Sequence, residues 1–146
     1  MHHTFLLKEG HWEATGSYRG PSGGDKPAKG YTTIIHEDEV WRVEGELVVG
    51  DEEELVIRNN YEVEPWREGG YASAWHSVNP GLGLLLGIFA VVEDTILTRF
   101  ISEDGEYSGV ESIRMVDLDT YMSRGALFRR NIMASSWSVT LKKQDV

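Results

Sequence analysis

Over residues 12–141 the chain is a succession of short segments in which apolar and polar residues alternate, each cut off by Gly, Pro, Asn, Asp or Ser. No stretch of any length shows the 3.6-residue period of a helix. About ten such segments at this regular spacing specify an all-β barrel or sandwich. A meander of this strand number closes with room to spare, so the pattern points to a container.

The segments run 10–18, 31–36, 40–49, 55–64, 71–78, 84–92, 96–102, 107–116, 121–129 and 132–141. Residues 19–30, with Pro21-Ser22-Gly23-Gly24-Asp25, read as a mobile loop at the barrel mouth. Asp104-Gly105 is the clearest two-residue hairpin turn. The residues before Gly10 are enough for a short plug, with His2 and His3 read as disordered or an extraneous remnant.

At 146 residues the chain suits one domain, 1–146, able to bury a substantial core. Its 14 Lys and Arg against 24 Asp and Glu leave a charge of −10, which repels nucleic acid and anionic headgroups. The absence of cysteine excludes disulfides and thiolate chemistry. The N-terminus has neither the basic start nor the apolar core of a signal peptide, so a cytoplasmic location is expected. The longest apolar run, 81–92, is too short and glycine-interrupted for a membrane-spanning helix.

Hairpin registers carry inward and outward parity from strand to strand. With Val49 opposite Leu55, one face pairs Leu47 with Ile57, Val43 with Tyr61 and Trp41 with Val63. The other pairs Arg42 with Glu62 and Glu46 with Arg58, opposite charges that belong in solvent. Propagated onward, the inner face takes Asn59, Tyr61, Tyr71, Ser73, Trp75, Leu86, Ile88 and Ala90. The Asp104-Gly105 turn adds Leu97, Arg99, Ile101, Val110, Ser112 and Arg114. The Arg130-Asn131 turn pairs Phe128 with Met133 and Arg124 with Trp137, completing an apolar face against one rich in Ser and Gly. Glu111 faces inward only if the parity of its strand is reversed.

Arg99, Arg114 and Arg124 on three consecutive inner faces form an unmatched donor cluster. Buried guanidinium groups need a partner, and the nearby candidates are hydroxyls. Within an aromatic lining of Trp41, Tyr61, Tyr71, Trp75 and Trp137, with Asn59 and Ser73, such a cluster suits a lipophilic molecule with a carboxylate or phosphate head. The plainer alternative is that these arginines reach solvent at a barrel end, or that Arg124 stacks on Trp137. The aromatics likewise either line a pocket or fill it. No histidine spacing resembles a zinc site, the acid pairs (37–39, 51–54, 117 and 119) fall in turns, and no serine sits in a nucleophile elbow.

Gly10-His11-Trp12-Glu13-Ala14-Thr15-Gly16 resembles the Gly-x-Trp opening of the lipocalin and fatty-acid-binding-protein (calycin) superfamily. It is more similar still to the Gly-x-Trp-x-Gly-x-Gly opening of nitrobindin-like ten-stranded barrels, with Ala14 in place of one glycine. The resemblance implies a lipocalin-like up-and-down barrel with Trp12 plugging its closed end. Nitrobindins bind haem through a histidine near the C-terminus. The corresponding stretch here, 133–143, has none, so no cofactor is expected.

Three functions fit these residues. The first is a binding protein for a small lipophilic, anionic ligand. The second is an isomerase or hydratase using Asn59, Tyr61 or Glu111, favoured by an inward acid or histidine beside the arginines. The third is an interaction module with a filled core that forms a homodimer or holds a partner, favoured by a cavity below roughly 300 Å³.

Overall fold

Alternating residues in an extended chain send side chains to opposite faces, so many such segments can each bury one face by closing around a common interior. In the computed structural model, which describes residues 2–51 and 54–145, they do so as ten strands. These are β1 (Gly10–Arg19), β2 (Asp25–His36), β3 (Trp41–Val49), β4 (Leu55–Val63), β5 (Ala72–Asn79), β6 (Gly83–Val92), β7 (Thr95–Ser102), β8 (Tyr107–Asp117), β9 (Thr120–Arg129) and β10 (Ile132–Gln144). Every strand pairs antiparallel with its sequence neighbours and β1 pairs with β10, which closes an up-and-down barrel. No helix among the described residues is long and apolar enough to cross a membrane. Part of the acidic turn at 51–54 lies outside the described residues.

The β3–β4 hairpin has the register its charges demand, Trp41 opposite Val63 through Val49 opposite Leu55. Arg42 Nη1 meets Glu62 Oε1 at 2.9 Å and Arg58 Nε meets Glu46 Oε1 at 3.3 Å on the solvent side. β2 starts at Asp25, so the mouth loop shrinks to 20–24. Pro27 fits within β2 because its carbonyl, rather than the missing N–H, bonds to the Gly50 amide at 2.9 Å.

The expected parity fails at the next connection but one. Asn79 Oδ1 accepts from the amides of Gly81 (2.9 Å) and Leu82 (3.1 Å), and Gly83 takes φ 80°. Asn79 therefore faces Gly83 across a three-residue loop. Such a loop, closed by a left-handed glycine, moves the pairing by one residue relative to a two- or four-residue turn. Trp75 consequently faces Gly87, and the interior takes Leu85, Gly87 and Phe89 instead of Leu86, Ile88 and Ala90. The inversion persists through β9, although the expected pairing of Arg99 with Val110 and Leu97 with Ser112 is present. In β10 the register shifts between Met133 and Ser135, leaving Ala134 unopposed. Phe128 still faces Met133, but Trp137 now faces Gly125, and Trp137, Val139 and Leu141 return to the inside.

One end of the barrel is sealed by residues 3–6, which form a bent, non-helical plug. Trp12 is wholly buried there, edge-on to Phe5 at 5.3 Å and to Tyr121 at 5.5 Å. His3 is part of this core, 2% exposed, and not a loose remnant. Its Nε2 meets the Glu93 carbonyl at 2.9 Å, and a carbonyl only accepts, so Nε2 carries the proton. Nδ1 then accepts from the Tyr121 hydroxyl at 2.8 Å, while that hydroxyl accepts from the Thr4 amide at 3.0 Å.

The wall is weakest between β4 and β5. Their ladder registers only Glu62 with His76 and Val63 with Trp75. Beyond it the Ser77 hydroxyl donates to the Asn60 carbonyl at 2.6 Å, a side chain standing in where strand pairing stops.

Candidate functional site

The glycines brought inside by the three-residue loop shape the interior. A Cβ on Gly87 would lie 2.1 Å from the Trp75 ring, on Gly109 2.2 Å from Phe100, and on Gly125 2.3 Å from Trp137. In each case the aromatic is the glycine's cross-strand partner. The three rings therefore lie flat along the wall, where bare backbone leaves room for them. Behind the plug this leaves a cavity of about 200 Å³, whose lining includes Asn59, Tyr61, Trp75, Phe100, Glu111 and Trp137.

Two acids line this space: Glu46, which pairs with Arg58 on the solvent side, and Glu111, whose partners lie within the barrel. Glu111 Oε2 accepts from the Ser123 hydroxyl at 2.7 Å and from Trp137 Nε1 at 2.8 Å. No hydrogen bond reaches Oε1 among the described residues, and no lysine or arginine lines the cavity. Burial raises its pKa above the ordinary carboxylate value, and the two hydrogen bonds only partly offset that. Glu111 as a whole is half-buried. Tyr61 stacks on Trp75 with ring centres 4.3 Å apart, and burial, with the Glu111 charge adding to it, pushes its phenol well up. Trp75 Nε1 donates to Thr98 Oγ1 at 2.9 Å, so this indole has no donor left over.

Of the expected site residues, Asn59, Tyr61, Trp75 and Trp137 meet in the cavity. Trp41 packs instead on His36 toward the plugged end, ring centres 3.7 Å apart. Ser73 is buried but donates to the Glu64 carbonyl at 2.5 Å, tying β5 to the end of β4. Tyr71 precedes β5 and is 76% exposed. Arg99, Arg114 and Arg124 are all exposed on the outer face, because the parity change at Gly83 turned β7, β8 and β9 over together. The same change brought Glu111 in. Its signal in the sequence was the Asn79-Pro80 start of a tight turn followed by Gly83 at the left-handed position.

No family model matches the chain, and no curated protein matches it in sequence. Among solved structures, the S-type phycobiliprotein lyase CPES from Guillardia theta superposes with a TM-score of 0.66 at 12% identity, over 96% of this chain and 89% of that one. A putative AttH from Nitrosomonas europaea has a TM-score of 0.29 at 9% identity, covering 92% of this chain and 50% of that one. At these identities the likeness to the lyase shows shared fold alone, and the second match carries no argument. The chain is an all-β, lipocalin-like up-and-down barrel.

Proposed function

We propose that this barrel binds a small, flat, largely apolar molecule that presents an N–H donor or a positive charge to Glu111. The observation that carries this reading is the enclosed carboxyl with one oxygen unbonded in an aromatic cavity without a cation. A buried carboxylate is costly until it is paired, so a ligand supplying a donor removes a penalty that an anionic ligand would increase. The anionic head expected from the arginines is thus replaced by its opposite. Trp137, flat on the wall over Gly125, offers a face for stacking a ring, whereas the Trp75 ring is already covered by Tyr61. At about 200 Å³ the space is below the roughly 300–1,000 Å³ of drug-sized pockets, so the ligand is of single-ring size.

An enzyme in the same barrel would use Glu111 as its acid, and the lyase that shares the fold is itself named for an activity. The inward acid expected of such an enzyme is present, but the arginines that were to stand beside it are outside. The small cavity instead favours the interaction module as second reading.

Benzylamine, benzyl alcohol and benzoate, equal in size and different in charge, separate these cases by calorimetry and by the tryptophan indole N–H signals. The amine should bind most tightly and shift the Trp137 Nε1–H signal, benzoate should bind least, and Glu111→Gln should erase the ranking. Tightest binding of benzoate, or no binding of any of the three, would overturn the proposal.

A further inference from the structure

A barrel sheet that faces water on its outer side ordinarily carries polar residues there. The outer face of β6–β8 is instead largely apolar. Leu86, Ile88, Leu97, Ile101 and Val110 are each between 43% and 50% exposed. They are contiguous across the strands, since Leu86 faces Ile101, Ile88 faces Arg99, and Arg99 faces Val110. Leu86, Ile88, Ile101 and Val110, with Arg99 among them, line a shallow groove of about 570 Å³, and Leu97 lies beside it on the same face.

Charge gives this face a sign opposite to that of the molecule. Arg19, Arg42, Arg58, Arg129 and Arg130 each hold an acid. Arg99, Arg114 and Arg124 form no ion pair among the described residues and share this outer face, on a chain whose net charge is −10. Arg114 faces Met122 and Arg124 faces Ser112, so these two are diagonal neighbours two residues apart along adjacent strands. The strand ends at both edges of the band are acidic, with Glu93, Asp94, Asp117 and Asp119 at one end and Glu103 and Asp104 at the other.

We propose that this basic-apolar band is the docking surface for an acidic amphipathic segment of a partner protein. Its apolar side chains would occupy the groove and its carboxylates would reach Arg99, Arg114 and Arg124. A helix, about 10 Å wide, fits between the acidic edges of strands spanning roughly 25–35 Å. A plane of anionic lipid would press on those edges as well as on the arginines. A second copy related by a twofold axis at Arg99 would bring Arg99 against Arg99 with no acid between them.

The test uses two synthetic 18-residue amphipathic peptides, one of Leu and Glu and one of Leu and Lys, with phosphatidylglycerol vesicles as a third probe. Backbone amide signals of the full chain are followed throughout. The Leu–Glu peptide should shift amides of β6–β9, bind less tightly as salt is raised, and lose about tenfold or more in affinity when Arg99, Arg114 and Arg124 are all changed to Gln. Ile88→Thr with Ile101→Thr should weaken it independently of salt. All five side chains point outward, and a thermal melt confirms that the variants remain folded. The proposal is overturned by absence of Leu–Glu binding at this face, by Leu–Lys binding there equally well, by vesicles binding in place of the peptide, or by concentration-dependent dimerisation that shifts the same amides.

Discussion

The β3–β4 hairpin and the β6–β9 block are built on the same alternation yet differ in how firmly it specifies them. In the hairpin the faces differ in kind, with Trp41, Val43 and Tyr61 on one and the pairs Arg42–Glu62 and Glu46–Arg58 on the other. A one-residue slip of either strand there would carry its charges, Arg42 and Glu46 or Arg58 and Glu62, to the inner face. In the block both faces are apolar: Leu85, Phe89, Ile96 and Ile113 lie inside, and Leu86, Ile88, Leu97 and Val110 lie outside. Register in the block therefore depends on the Asn79–Gly83 loop rather than on hydrophobicity. The difference teaches that alternation defines two faces, and only a chemical contrast between them says which is inner.

The contrast can be tested in adjacent residues. Phe89 is 3% exposed inside and Ile88 is 46% exposed outside. Phe89→Ala should cost about 3–5 kcal/mol and Ile88→Ala about 1 kcal/mol or less in denaturant melts. Equal costs would mean that the block is not oriented as described. A smaller effect is expected where the wall is glycine. Gly125→Val drives a side chain into the Trp137 ring and should cost about 1–3 kcal/mol with a changed near-UV spectrum. Its outward neighbour should tolerate Ala126→Val within about 0.5 kcal/mol.

Glu111→Gln tests the interior electrostatics. The folded carboxyl holds its proton more tightly than the unfolded one, so unfolding releases a proton between the two pKa values. Stability of the native chain should fall as pH rises through that window and then level off. Gln accepts the same two hydrogen bonds without charge. The variant should match the native chain below the ordinary carboxylate range and become progressively more stable above it, measured as melting temperature against pH. The smallest effect is expected of Arg124→Met, whose exposed side chain should change stability by no more than about 0.5 kcal/mol and leave benzylamine binding intact.

Much of the fold was legible because its signals are local. Turn residues marked the ten strands, and the Gly10–Trp12 opening located the plugged end. The site was legible on one side only. Tyr61 and Trp75 follow from the β3–β4 charges, and Asn59 with them, all before the parity change. Glu111 and the glycines at 87, 109 and 125 lie beyond it, and β6–β9 contain no outward ion pairs that would have exposed the error. Trp137 faces inward with or without the parity change, because the shifts at Gly83 and at Ala134 cancel. His3 carries no such signal, because nothing local distinguishes a histidine that meets Tyr121, 118 positions away.

The most direct measurement is a pH titration of the glutamate carboxyl carbons by NMR, with the tryptophan indole N–H signals followed in parallel. An inward Glu111 should titrate above the ordinary carboxylate range, and the Trp137 indole signal should move with the same midpoint, both responses vanishing in Glu111→Gln. If every glutamate titrates in the ordinary range and the Trp137 indole is indifferent, Glu111 faces solvent. The arginines of β7–β9 would then face the cavity, and the donor-seeking site would be wrong.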